Sequence, residues 1–323
     1  MSRSAILLVG GMGTRLHPLT LNTPKPMLPV AGVPFTAHQI AKAKAAGITE
    51  IVLATAFKAE IFRPYFGDGE KFGIEIKYAV EESALGTGGA IRNAADQLKG
   101  TGPVAIFNGD VLTGHDLDGQ FKFHEKKRAD VSLYLTQVPD ARAFGAVELD
   151  NDFRVKAFNE KMENPPTNII NAGCYIFNRE IINQIPNGIV VSVERETFPQ
   201  LLNTGAKVYG FVDTSYWLDI GTPAALLKAS QDLLSGAIAS SATPKVSGNY
   251  LALDGAVIAP SANVGGYSVI GAGAEIGAEA NIEGSVIFDG AKIGTGAKLT
   301  NCFVAPNFHV PADLVGINNF FGF

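Results

Sequence analysis

The sequence predicts an α/β chain in which a mostly parallel sheet flanked by helices is continued by a short parallel β-helix. Three observations carry this. Up to about residue 230, short β-branched or aromatic runs alternate with stretches whose apolar residues recur at helical spacing. After about residue 235 the composition shifts to Ser, Ala, Gly and Thr. Beyond that, apolar residues recur every six positions, at Ile258, Val264, Ile270, Ile276 and Ile282.

The first element is an apolar run over residues 5–9, a buried strand that ends in a turn containing Gly10, Gly11 and Gly13. Strands are predicted at 51–55, 104–107, 131–136 and 175–177, and helices at 36–46, 90–98, 120–127 and 224–234. Such alternation implies βαβ units, whose ligands sit at the carboxyl ends of the strands. A first domain is therefore expected over 1–234, a linker over 235–247 and a second domain over 248–323. In the second domain the six-residue phase slips by one, resumes at Ile287, Ile293 and Leu299, then slips again before Val304 and Val310. A period of six with small residues between is the mark of a three-faced β-helix. It resembles the hexapeptide repeats of left-handed β-helices. About three coils are expected, and the aromatic tail Phe320, Phe321 and Phe323 is the candidate cap.

The bulk composition narrows the function class. A chain of 323 residues with 46% hydrophobic and 18% charged content suits a globular enzyme of about two domains. A net charge of −5 argues against nucleic acid as a partner. No apolar run reaches the roughly 18 residues of a membrane span, and the N-terminal run is too short for a signal peptide. Cys174 and Cys302 form no disulfide framework and suit a reducing, cytoplasmic setting.

The glycine turn delivers Arg15, and Lys25 follows in Pro24-Lys25-Pro26. Glycines let the backbone approach a phosphate, and fixed cations offset charge on phosphoryl oxygens. The spacing is neither GxGxxG nor a Walker A loop, so a plain tight turn stays open. Asp110, in Asn108-Gly109-Asp110, follows a predicted strand, and Asp219 lies in the run from Tyr216 to Pro223. Two carboxylates suffice for a magnesium ion that also binds substrate phosphates. A simple turn at Asp110 and a helix cap by Asp219 are the alternatives. Glu160-Lys161 suits a hydroxylated, phosphorylated ligand or a solvated strand end. Asn171-Ala172-Gly173 adds a polar hand with close backbone approach. Leu85-Gly86-Thr87-Gly88-Gly89 opens a helix and holds a base edge or phosphate, or else Thr87 merely caps it. No Ser-His-Asp set, no zinc spacing and no activated nucleophile is evident, and His309 is the only histidine in the tail. This favours direct displacement at phosphorus, driven by positioning and charge neutralisation.

The motifs GGMGTRL, PKPM, LGTGG, NGD, FNEK, NAG and WLDIGTP occur in one order. In these the chain resembles the sugar-1-phosphate nucleotidyltransferases, in particular the branch that makes GDP-mannose. The resemblance implies a Rossmann-like domain, a left-handed β-helix and the reaction of mannose 1-phosphate with GTP to give GDP-mannose and pyrophosphate. It implies that Leu8, Gly10, Gly11, Gly13, Thr14, Asn108 and Gly109 hold the nucleotide, with Gly86 and Thr87 by the purine. It assigns Arg15 to the leaving β- and γ-phosphates, Lys25 to the α-phosphate, and Asp110 and Asp219 to Mg²⁺. Lys161 is assigned to the sugar phosphate, and Gly145, Glu160, Asn171 and Gly173 to the hexose. A homo-oligomer, dimer or higher, through the β-helix is also implied. Glucose 1-phosphate with UTP, dTTP or ATP is the alternative substrate pair, and a non-catalytic homologue a further one. Where many relatives have Pro after the Glu-Lys pair this chain has Met162, and its β-helix is short.

Overall fold

In the computed structural model the chain forms two compact units, one of Met1–Met12 with Gln39–Trp217 and one of Gly13–His38 with Leu218–Phe323. Residues 3–11, 13–56, 58–246 and 248–323 are described. Met12 of the glycine turn and Ser247 of the predicted linker lie outside them.

The first unit is built on a nine-stranded sheet. Its strands are β1 (Arg3–Leu8), β2 (Ile48–Thr55), β3 (Glu75–Val80), β4 (Val104–Asn108), β5 (Val131–Gln137), β6 (Gly145–Leu149), β7 (Val155–Glu160), β8 (Ile169–Phe177) and β9 (Val208–Val212). β4, β1, β2 and β3 lie side by side and parallel, with Leu8 opposite both Ala54 and Asn108. Its longer helices are α1 (Phe35–Ala45), of which residues from Gln39 belong to this unit, α2 (Gly86–Ala95), α3 (Leu117–Lys127) and α4 (Phe198–Asn203). The core sits on the sheet, where Ile6, Val52, Ile106, Leu133 and Phe177 are fully buried.

The sheet also carries an antiparallel extension. β8 runs antiparallel to β4 and β5, and β6 and β7 form a hairpin beside it. A short connection leaves that pair no other choice, because parallel strands need a crossover of a dozen residues or more. The hairpin turn is fixed by Asp150, whose carboxylate accepts from the amides of Asp152 and Arg154 at 2.8 and 2.9 Å. β8 is far longer than the predicted 175–177, and its pairing with β5 is interrupted between Asn171 and Tyr175. The Asn171-Ala172-Gly173 motif is therefore a bulge, and Gly173 takes the left-handed φ of 79° that it requires.

In the second unit α5 (Pro223–Ser235) is capped by Thr222, whose Oγ accepts from Ala225 N at 3.2 Å, and is closed by Gly236 at φ 81°. The segment after it is tied down, with Ile238 buried and Ser240 Oγ 2.8 Å from His38 Nδ1. Thirteen short strands between Tyr250 and Phe321 then form three parallel sheets of five, four and four, consistent with a left-handed β-helix. The stack thus has four coils and one further strand rather than three coils. The periodicity missed three of these strands, Tyr250–Ala252, Val315–Ile317 and Phe320–Phe321, the first two of which bury Leu251 and Gly316 where most others bury Ile or Val.

The phase slips also have a physical cause. Ile258 pairs with Ile276, 18 residues on, whereas Ile270 pairs with Ile287, only 17 on. One corner has lost a residue, and inside it Ser268, Ser285 and Cys302 stack as a buried ladder. Ser268 Oγ accepts from Ser285 N at 3.0 Å, and Ser285 Oγ accepts from Cys302 N at 2.9 Å. The serine hydroxyls satisfy amides that the tighter corner leaves without a ladder partner. At the far end Phe320–Phe321 pairs with Phe303–Val304, and the rings of Phe303 and Phe320 stack at 5.5 Å. The aromatic tail is thus an ordered last strand of one face.

Candidate functional site

In the first unit the carboxyl ends of β1 and β4 bring two motifs together. Gly109 N donates to Leu8 O at 3.0 Å, and a Cβ on Gly109 would lie 2.2 Å from that oxygen. Only glycine fits there, which fixes the turn that presents the half-buried Asp110. Gly10 has little room, since its Cβ would meet Ala56 Cβ at 3.2 Å, whereas Gly11 has open space around it. The backbone at Gly11 is therefore accessible to a ligand. From α1, Gln39 Nε2 donates to Asn108 O at 2.8 Å and holds the end of β4.

The Glu160-Lys161 and Asn171-Ala172-Gly173 motifs lie at the end of the hairpin and on β8. Glu160 pairs with Gly145 across the hairpin, and a Cβ on Gly145 would meet Glu160 Oε2 at 2.8 Å. The glycine makes space for the carboxylate. Lys161 leaves the strand at φ 51°, held by its N–H to Phe144 O at 3.1 Å, with Nζ 3.6 Å from Glu160 Oε1. A left-handed lysine is uncommon and turns the ammonium out of the strand line. In the bulge, Asn171 Oδ1 accepts from Gly173 N at 3.2 Å, and Trp217 Nε1 donates to Ala172 O at 3.0 Å. Burial pushes the neighbouring Cys174 thiol up to about 12, so it stays protonated and is no nucleophile.

Thr87 does not cap α2. The cap position is Leu85, and Thr87 Oγ1 instead donates to Glu194 Oε2 at 2.8 Å and accepts from Val193 N at 2.9 Å. Gly86 stands at φ 69°, and a Cβ there would meet Val191 O at 2.6 Å.

In the second unit Gly13 adopts φ 64° and opens a single helical turn, Thr14–Leu16. A Cβ on Gly13 would lie 2.8 Å from Lys25 Cβ, so the glycine and the lysine stem are in direct contact. Thr20 Oγ1 donates to Gly13 O at 2.9 Å and fixes the peptide. Arg15 is 67% exposed, with Nη2 3.9 Å from Asp219 Oδ2. A pair that exposed and that long contributes little, so the guanidinium is available to an anion. Gly221 makes room for it, since a Cβ there would meet Arg15 Nη2 at 2.8 Å. Asp219 does not cap α5, a task that falls to Thr222.

The structure thus gathers Leu8, Asn108 and Gly109 at one strand edge, Gly145, Glu160 and Lys161 on the hairpin, and Gly13, Arg15, Lys25 and Asp219 within the second unit. Motif reading missed Gln39, Tyr175, Glu194 and Gly221. Tyr175 sits in an apolar run that reads as core. Glu194 sits in a charged run, Glu194-Arg195-Glu196, that reads as solvated surface. Among the described residues, no three His, Cys, Asp or Glu side chains gather as a metal cage, and no helix is long and apolar enough to cross a membrane.

Residues 4–236 match the model of the nucleotidyl transferase family, and residues 245–319 match that of the GlmU-like C-terminal hexapeptide. Over 271 residues the chain is 51% identical to the mannose-1-phosphate guanylyltransferase of Mycobacterium tuberculosis, covering 84% of this chain and 75% of that protein. Over 272 residues it is 34% identical to the mannose-1-phosphate guanyltransferase of Neurospora crassa, covering 81% and 73%. Among solved structures, HddC from Yersinia pseudotuberculosis complexed with GMP-PN superposes with a TM-score of 0.61 at 29% identity, covering 72% of this chain and 99% of that one.

Proposed function

The chain belongs to the nucleotidyl transferase family, and from that premise we propose that it makes GDP-mannose and pyrophosphate from mannose 1-phosphate and GTP. The observation that carries this reading is the 51% identity to a guanylyltransferase over most of the chain. Catalysis is assigned to residues 1–234 and assembly to residues 248–323.

An oxygen of the sugar phosphate attacks the α-phosphorus of GTP in line. The bond from that phosphorus to the bridging oxygen breaks, and pyrophosphate leaves with the electron pair. The nucleophile is already an anion, so no general base is needed, and the chain's task is to position reactants and neutralise charge. Gly10, Gly11, Gly13 and Thr14 line the triphosphate, with Leu8, Asn108 and Gly109 at the adjoining strand ends. Lys25 offsets charge at the α-phosphate, and Arg15 meets the leaving phosphates. Lys161 holds the sugar phosphate, while Gly145, Glu160, Asn171 and Gly173 bind the hexose, and Gly86 and Thr87 lie by the purine. Asp110 and Asp219 offer hard oxygen donors that fit an ion taking its other ligands from substrate phosphates. The proposed Mg²⁺, when bound, supplies charge neutralisation at the phosphates.

Turnover of GTP, ATP, UTP and dTTP against mannose and glucose 1-phosphates tests the reading. GTP with mannose 1-phosphate is expected to give the highest kcat/KM, and a pyrimidine preference overturns the guanylyl assignment. The two buried free cysteines support a cytoplasmic setting.

A homo-oligomer, dimer or higher, through the coil stack also belongs to this reading. The last coil supports it, since Val315 and Ile317 are 66% and 64% exposed. Val315→Asp with Ile317→Asp is expected to reduce the assembly size in sedimentation velocity. An unchanged sedimentation coefficient excludes this edge as the interface.

A further inference from the structure

Two of the binding motifs are joined through one buried phenol in the first unit. Asn171 Nδ2 donates to Tyr175 Oη at 2.8 Å. Tyr175 Oη donates in turn to Glu194 Oε1 at 3.5 Å. The other oxygen of Glu194 accepts from Thr87 Oγ1 at 2.8 Å and from Ser192 Oγ at 3.1 Å. One chain of bonds therefore runs from the β8 bulge, through Tyr175 and Glu194, to the turn that opens α2.

This network has a single proton arrangement. Tyr175 is wholly buried, with its ring edge-on to Phe198 at 5.2 Å and to Phe177 at 6.3 Å, so it cannot swing away. Burial holds its phenol well above the usual range, so it remains a donor. With the Asn171 amide donating into its oxygen, the one phenolic proton is left for Glu194. Thr87 Oγ1 accepts from Val193 N, and its own proton is committed to the same carboxylate. Each link orients the next. The link at 3.5 Å is the loose one, and such bonds often shorten only when substrate is bound.

We propose that Tyr175 and Glu194 are positioning residues that couple the sugar side of the site, at Asn171, to the base side at Thr87, so that the two substrates bind cooperatively. The proposal rests on the reading above only for which substrate lies on which side.

The test is calorimetric binding of mannose 1-phosphate with and without the α,β-methylene analogue of GTP. In the unmodified protein the analogue is expected to tighten sugar-phosphate binding at least about fivefold, the lower range of allosteric coupling. In Tyr175→Phe and in Glu194→Gln that ratio is expected to fall below about twofold, with each ligand alone bound within about threefold of the unmodified protein. The double variant is expected to lose no more than either single one, because the links lie in series. A merely structural role would weaken both ligands singly and leave the ratio intact, and that result overturns the proposal. So does a ratio near one in the unmodified protein. If the turnover panel selects another substrate pair, the functional reading fails and the same ratio is measured with that pair.

Discussion

Asp110→Asn is expected to lower kcat about 10³-fold or more while the melting temperature stays within about 2 °C. The expectation separates two roles that sequence alone leaves open. Had Asp110 only shaped the turn, Asn would replace it well, because both residues favour such positions. The turn, moreover, is specified elsewhere, by Gly109, which no side chain could replace beside Leu8 O. Removing the charge therefore leaves the fold and takes one of two carboxylates from the proposed ion. Loss of a preorganised electrostatic group at a reacting phosphate costs about 10²–10³ in rate, and loss of the ion would add to that. The check is steady-state kinetics with a Mg²⁺ titration. The KM for GTP is expected to rise less than kcat falls, and excess Mg²⁺ is expected to restore little. Turnover within tenfold of the unmodified enzyme, or full activity of that enzyme in EDTA, would remove Asp110 and the ion from the mechanism.

Much of the fold was legible because hydrophobic period is a direct imprint of burial. The period of six located the coil stack, since each Ile or Val on it points inward, as Ile270, Ile276 and Ile282 do. The slips were visible but their cause was not. A buried serine ladder reads as polar and belongs to no hydrophobic pattern, although Ser268, Ser285 and Cys302 recur at the coil length. The antiparallel strand β8 was equally hidden, because strand direction follows from connection lengths and the predicted strand was only its buried end.

At the site, the residues that stood out were those whose chemistry is unusual where they lie, such as Arg15, Lys25, Asp110 and Lys161. Residues that act by holding others gave no signal. Tyr175 and Gln39 each bond the protein's own groups rather than a ligand, and Gly221 matters only for the guanidinium it leaves room for. Two alternatives left open by the sequence are closed by single bonds. Thr222 caps α5, so Asp219 need not, and Thr87 spends its hydroxyl on Glu194 and Val193, so it does not cap α2.

Gly13→Ala is expected to cut kcat about 100-fold, and the argument turns on where its methyl group would go. Two costs must be told apart. The first is general, since a side chain at φ 64° costs about 1–2 kcal/mol wherever it occurs. The second is particular to this site, because the new Cβ would lie 2.8 Å from Lys25 Cβ. That atom sits beside the backbone and cannot rotate away as the end of a long side chain could. The lysine backbone cannot retreat either. It follows Pro24, precedes Pro26, accepts from Leu28 N at 3.1 Å, and is flanked by Pro26 O accepting from Thr36 Oγ1 at 2.9 Å. The loop must therefore shift, and the ammonium with it. A displacement near 1 Å of a positioning group costs about 10²-fold in rate. Gly47 supplies the control, with φ 77° and nothing within 4 Å of its would-be Cβ. Gly47→Ala bears the conformational cost alone and is expected to lose stability comparably while keeping turnover within about twofold. Thermal melts and kcat of the two variants decide the matter. Equal turnover in both would show that the glycine serves the chain's conformation and not the placing of Lys25.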